Sequence, residues 1–176
     1  MARWCNQHNE VVPDFQGQAR MRLPTSSTLV LCVGIFMTLM GTRFVKLNIS
    51  PSVPVGLYVL RPVPAQLHRG DVVLLDVPVS VRPWHSRWLP LVKPVAALPG
   101  DIVCSTDHTL YVNGADFGPV LQTAHGRPLP QLQGCLVVQA GEVFLASPIA
   151  HSLDSRYFGP VPIAALTAQA TPLVTW

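Results

Sequence analysis

Lysine and glutamate are nearly missing from this chain. Of 176 residues only Lys46 and Lys93 are lysine, and only Glu10 and Glu142 are glutamate. Charged residues make up 12% in all, too few for a solvated, self-repelling tail. With no close pair of carboxylates, the two-carboxylate chemistry of glycoside hydrolysis has no footing. No H-E-x-x-H, Walker-type loop or G-x-G-x-x-G occurs, which removes the zinc-protease, phosphate-loop and dinucleotide readings. The four cysteines form no C-x-x-C and no zinc-type spacing, and the six histidines are scattered. No metal and no cofactor is expected. Residues 47–176 hold seven basic and seven acidic side chains, so this part lacks the positive surplus that nucleic-acid binding requires.

What is present is apolar and full of turns: 49% hydrophobic, with 18 prolines and 12 glycines. That much proline excludes a helical bundle and suits an all-β domain. The net charge of +3 belongs to residues 1–46, where Arg3, Arg20, Arg22, Arg43 and Lys46 face only Glu10 and Asp14. Between these charges runs an uncharged apolar stretch from Thr25 to Thr42. A bilayer core takes roughly 20 apolar residues, with a lower limit of about 17, and the stretch just reaches it. We read residues 1–24 as a short N-terminal segment, 25–42 as a transmembrane anchor and 43–176 as the folded domain. A cleaved signal peptide fits less well, because Gly-Thr-Arg-Phe follows instead of a small-x-small site; a buried core helix is the other alternative. The flanking basic residues balance and do not orient the segment.

Past residue 55 the pattern is strand-like. Gly56–Leu60, Val72–Leu75 and Leu91–Leu98 are short apolar runs closed by proline or glycine. Arg69-Gly-Asp71 reads as a turn launching the second of them. Residues 77–90, with three prolines and two tryptophans, read as an irregular excursion. Ile102–Cys104 and Leu110–Val112 flank a turn, and Asn113-Gly114 is a type I′ hairpin signal. Gln122–Gly134 reads as a polar loop, Cys135–Val138 and Glu142–Ala146 as a strand pair around Gln139-Ala-Gly141, and Leu173–Trp176 as a final strand. Cys104 and Cys135 would pair in an oxidising compartment or stay as two buried thiols. No repeat occurs.

Two stretches stand out chemically. Asn48-Ile-Ser-Pro-Ser-Val-Pro-Val-Gly-Leu-Tyr58 packs two serines, two prolines and a glycine into a stiff, turning backbone, the setting in which a serine hydroxyl can stand out as a nucleophile. Lys93 lies among Leu91, Val92, Pro94 and Val95. In an alternating strand it shares a face with Leu91 and Val95. Burial there lowers a lysine pKa and makes the amine a base for a serine hydroxyl; the bland alternative is an edge lysine snorkelling to water. Ser147, His151, Ser152 and Asp154 form a rival, His-assisted set, without the G-x-S-x-G that a nucleophile elbow carries.

Three stretches in order, Ser50-Pro-Ser-Val-Pro-Val-Gly-Leu-Tyr58, Val92-Lys-Pro-Val-Ala-Ala-Leu-Pro-Gly-Asp101 and Asp154-Ser-Arg-Tyr-Phe-Gly159, resemble the signature boxes of the type I signal peptidase superfamily. The S-x-P-x-G-x-Y form after an asparagine is most similar to its TraF-type conjugal transfer branch, and Val112-Asn-Gly114 falls where that family also carries such a turn. The resemblance spans about residues 48–176. It implies an irregular β-barrel or sandwich behind one transmembrane helix, with Ser52 as nucleophile and Lys93 as general base. It further implies Ser50 as an oxyanion donor beside the Ser52 N–H, Ser152 as the hydroxyl that orients the lysine, and Asp154 and Arg156 as a structural ion pair. One departure is Pro94, where signal peptidases usually carry arginine. A proline inside a sheet removes a donor, which puts strand pairing and substrate-strand docking there in question.

The function so implied is a serine endopeptidase at the outer face of a bacterial inner membrane, single-pass with a periplasmic domain. Its substrate would be a membrane-tethered, pilin-like precursor with small residues near the cleaved bond, released by hydrolysis or by cyclisation. Its other partners would be the lipid bilayer and components of a conjugation or secretion assembly. The alternatives are a general type I signal peptidase and a catalytically inactive structural component of a secretion assembly.

Overall fold

The computed structural model describes residues 44–86 and 88–176, together with the helical positions Ser27, Val30, Leu31 and Gly34. The expected segment 1–24 lies outside the described residues, as does the expected anchor at 25–42 apart from those four positions. Among the described residues no helix is long and apolar enough to cross a membrane. The chain divides into two units, Met1–Phe36 and Met37–Trp176. The second holds all the described strands.

That second unit is mostly β. Its larger sheet has seven antiparallel strands in the order β1-β2-β13-β3-β4-β11-β12. These are β1 (Val45–Asn48), β2 (Gly56–Arg61), β3 (Val72–Leu75), β4 (Leu91–Ala97), β11 (Glu142–Leu145), β12 (Val161–Pro162) and β13 (Leu166–Thr175). A second sheet runs β10-β5-β6-β7, from β5 (Ile102–Thr106), β6 (Thr109–Val112), β7 (Ala115–Pro119) and β10 (Gly134–Val137). A two-stranded hairpin joins β8 (Thr123–Ala124) to β9 (Arg127–Pro128). One short helix, α1 (Ser155–Phe158), precedes β12, and a 3-10 helix at Val79–Trp84 lies within the excursion between β3 and β4.

The continuous apolar runs VVLL and LVKPVAA form the middle of the large sheet because both of its faces are covered. On one face Val73, Leu75, Leu91 and Val95 join Val103, Leu110 and Val112 of the second sheet in the main core. On the other, Leu74, Val92 and Ala170 pack with Val53 and Tyr58 in a smaller cluster beneath the serine-rich loop. A fully buried Leu or Val contributes about 1.5–3 kcal/mol, so the strand that carries Lys93 is held from both sides. Gly56 has a steric role: a Cβ there would collide with the Val174 carbonyl oxygen on β13.

Asn113 (φ 50°) and Gly114 (φ 81°) make the expected left-handed turn, between β6 and β7. Asp107 (φ 49°) and His108 (φ 60°) make a second such turn that carries no glycine. The structure corrects three strand readings. Cys135–Val138 and Glu142–Ala146 do not pair with each other: β10 pairs with β5, while β11 pairs with β4 and β12. Val138 is the reason, since its N–H donates to the Asp101 carbonyl and its carbonyl accepts from Gly100 N–H, which steers β10 along β5. The last strand starts at Leu166 and not near Leu173, with a register shift absorbing Pro172 opposite β2. The loop Gln122–Gly134 contains the β8–β9 hairpin. Cys104 and Cys135, opposite each other on β5 and β10, form a disulfide.

Candidate active site

The site begins with Asn48, the buried last residue of β1. Its side-chain amide donates to the carbonyls of Ser50, Val53 and Pro54 at 2.8, 3.2 and 3.1 Å, and its oxygen accepts the Ser50 N–H at 3.2 Å. From the far side the Tyr58 hydroxyl donates to the Pro54 carbonyl at 2.7 Å. With Pro51 and Pro54 fixing φ, these bonds hold the loop around Ser52 in one shape. Neither Asn48 nor Tyr58 was assigned a role from sequence. The signal that was available is a polar residue at each edge of a proline-serine turn, where loose backbone groups need partners.

Lys93 sits at the centre of β4, directly opposite Val73, and is only 4% exposed. Its stem lies on the face that Leu91, Val95 and Val73 give to the main core, and its amine ends against two hydroxyls. Nζ is 2.6 Å from Ser52 Oγ and 2.9 Å from Ser152 Oγ, and the two oxygens are 3.3 Å apart. Ser50 Oγ lies 3.2 Å from Ser52 Oγ and accepts the Ser52 N–H at 3.4 Å. The structure thus brings Ser50, Ser52, Lys93 and Ser152 together from three distant parts of the chain. Burial, the largest influence, lowers the Lys93 pKa to about 8; Asp154 pulls it back up and Arg156 pushes it down.

Asp154 and Arg156 stand behind this cluster, both fully buried. Arg156 Nε donates to Asp154 Oδ1 at 2.8 Å, Nη1 donates to the Pro119 carbonyl at 2.8 Å, and Nη2 donates to the Ser147 carbonyl. Asp154 caps α1 by accepting the Arg156 N–H, and its other oxygen accepts the Ser147 N–H at 3.1 Å. Every charged atom of the pair has a partner, the condition under which a buried ion pair is tolerated. In the rival set, Ser147 Oγ accepts the Ile149 N–H, and His151 is exposed with no hydrogen bond to a serine.

Pro94 lies in a central strand. On the β3 side it faces Val72, and the neighbouring Val95 N–H donates to Asp71. On the β11 side it accepts from the Ala146 N–H at 3.2 Å where the β4–β11 pairing ends, next to a register shift at Phe144/Leu145. The missing donor therefore falls where the ladder stops, and β4 keeps its pairing with β3.

A hydroxyl held against a desolvated amine, with further hydroxyls around it, has the form of a nucleophile and its base. The sequence profile described as signal peptidase, peptidase S26 matches residues 20–176. The chain belongs to that family. It is similar to the conjugal transfer protein TraF of Agrobacterium tumefaciens (strain 15955), 38% identical over 154 residues, 74% of this chain and 82% of that one. It is likewise similar to the conjugal transfer protein TraF of Agrobacterium fabrum, 32% identical over 84% of this chain and 91% of that one. A plasmid transfer protein TraF of Escherichia coli is 29% identical over 74% and 83% of the two chains. Among solved structures, a signal peptidase I from Enterococcus faecalis aligns at 24% identity and a TM-score of 0.38 over 60% of this chain and 97% of that one, too loose a likeness to carry an argument.

Proposed function

We propose that this protein is a membrane-anchored serine endopeptidase that cleaves a pilin-like precursor in conjugative transfer, with Ser52 as nucleophile and Lys93 as base. The observation that carries the reading is the 2.6 Å approach of Nζ to Ser52 Oγ inside a buried site. With a pKa of about 8, the amine is free in about one molecule in ten at pH 7. The free amine takes the Ser52 hydroxyl proton as Oγ attacks the peptide carbonyl carbon, and the displaced π pair becomes the oxyanion. The Ser52 N–H and the Ser50 hydroxyl, bonded to each other in the resting site, turn to that oxygen; one such donor is typically worth about 10²–10³ in rate. The carbonyl re-forms, the C–N bond breaks, and the leaving nitrogen takes the proton from Lys93. Water, or an amine of the substrate itself, then attacks the Ser52 ester by the same route. Ser152 holds Nζ in line through its 2.9 Å bond.

The relatives' names support the conjugative role, and the Cys104–Cys135 disulfide supports a domain on the oxidising, periplasmic side of the inner membrane. An anchor at residues 25–42 would raise the local concentration of a tethered substrate. The second reading, a general type I signal peptidase, draws on the family profile itself. The test compares wild type, Ser52→Ala and Lys93→Ala for cleavage of a co-expressed pilin precursor and of an ordinary exported precursor in membranes. Loss of pilin cleavage in both folded variants supports the proposal, and the product's mass separates linear from cyclic release. Cleavage by Ser52→Ala would transfer the nucleophile's role to Ser50. Cleavage of the exported precursor alone would establish the second reading, and cleavage of neither by wild type would favour a structural component.

A further inference from the structure

Behind Ser152 the domain contains a cavity of about 520 Å³, within the range of about 300–1,000 Å³ typical of ligand sites. Trp84, Leu121, Leu129 and Tyr157 supply apolar wall, His125 and His151 line it as well, and among the described residues no lysine, arginine or carboxylate does. Among the described residues the indole N–H of Trp84 is the one buried side-chain polar atom without a hydrogen-bond partner, which is unusual enough to require an explanation. Ser152 belongs to both places: it lines the cavity, and its Oγ is 2.9 Å from Lys93 Nζ.

The direction of acyl transfer then selects the occupant. Proton return from Lys93 to the departing nitrogen requires the leaving segment to pass the lysine and Ser152, whereas the oxyanion donors, Ser50 Oγ and the Ser52 N–H, belong to the loop after β1. A cavity of this volume also cannot select the small side chains expected before the cleaved bond. The geometry points to this cavity as the site for the leaving-group side of the substrate, taking apolar side chains from the one or two residues that follow the cleaved bond. The inference rests on the Ser52/Lys93 reading, and it adds a second specificity element to a recognition otherwise confined to small residues. An incoming amine that resolves the ester would approach along the same path.

The test uses the full chain in detergent carrying Ser52→Ala, so that binding is read without turnover. Three peptides share one small-x-small sequence: the first continues with Leu-Leu, the second with Gly-Gly, and the third ends at the scissile position. Affinity is read by competition against a fluorescein-labelled Leu-Leu peptide, and tryptophan emission is followed in parallel. We expect the Leu-Leu peptide to bind at least about tenfold more tightly than the other two, the scale of apolar side-chain discrimination. Trp84→Phe should remove the emission change, and Ala124→Trp, which fills the cavity from β8, should bring the preference below about threefold. Equal affinity for all three peptides would overturn the assignment, as would a preference that follows bulk placed before the bond. If wild type cleaves none of the peptides while the Leu-Leu preference stands, the peptidase reading fails and the cavity assignment survives.

Discussion

Two arginine–aspartate pairs in this domain are made of the same groups and do different things. Asp154 and Arg156 are wholly buried beside Lys93, and every polar atom between them is taken. Asp101 and Arg69 lie at the joint between the two sheets, with the arginine half exposed. There Asp101 accepts from Arg69 Nε at 3.1 Å, from Asn113 Nδ2 at 2.8 Å and from the Leu98 N–H at 2.7 Å. This half-exposed pair fastens a turn. The buried pair sets a field: burial is the largest influence and lowers the Lys93 pKa, Asp154 raises it, and Arg156 lowers it again. The two charges of the buried pair therefore act on Lys93 in opposite directions, whereas the Asp101 pair acts on a turn.

The largest effect should come from breaking the buried pair. Arg156→Met leaves Asp154 as an uncompensated buried charge and orphans the carbonyls of Pro119 and Ser147, so we expect a loss of about 3–5 kcal/mol in urea unfolding. The lysine pKa should rise. Cleavage by wild type should increase with pH through an inflection near pH 8, where the amine loses its proton, and in the variant that inflection should move upward. An unshifted inflection in folded Arg156→Met would show that the pair is only structural.

The second effect has the opposite sign. Lys93→Met keeps the volume and removes a desolvated ammonium, so activity should vanish while stability at pH 7 rises, by on the order of 1–3 kcal/mol. The sign follows from linkage. The folded-state pKa is lowered to about 8 from 10.5, so the unfolded chain binds more protons between those values and wild-type stability rises with pH across that window. The gap between variant and wild type, read as Tm, should be full below pH 8 and close as pH approaches about 10.5.

Much of this site is legible in the sequence because its parts are chemically out of place. A lysine amid aliphatic residues and two serines between prolines stand out against a chain with so little charge. β3 and β4 are equally plain, since burial on both faces leaves apolar runs that only Lys93 interrupts. Asn48 is harder to read, because its work is done on backbone carbonyls that leave no trace in a pattern. β10 and β11 mislead for a related reason. Two apolar strands around a glycine suggest a hairpin, and what separates them is the pairing of Val138 with Gly100 and Asp101, a contact between segments far apart in the chain. Arg156 is visible as a residue, yet its partners at Pro119 and Ser147 come from elsewhere in the fold.

The smallest effect belongs to the half-exposed pair of Arg69 and Asp101, and its pH dependence runs the other way from that of Lys93. Burial pushes the Asp101 carboxyl up, but the bonds from Arg69, Asn113 and the Leu98 N–H outweigh it and hold the pKa at about 2, below its ordinary 3.8. A lowered carboxylate contributes stability that is complete above the unfolded value and disappears as pH falls from about 4 to about 2. Because Arg69 is half exposed and screened by solvent, we expect only about 1–2 kcal/mol from the cluster. Asp101→Asn should remove that amount at pH 7 and flatten the acid limb of the stability curve. Arg69→Ala should cost less than about 1 kcal/mol and lose even that at high salt. Neither change should move the pH at which cleavage reaches half its maximum, since neither residue is among the charges that perturb Lys93. A shift of that inflection in Asp101→Asn would mean that the two pairs communicate through β4, which begins one residue after Pro90 and ends at Ala97, four residues before Asp101.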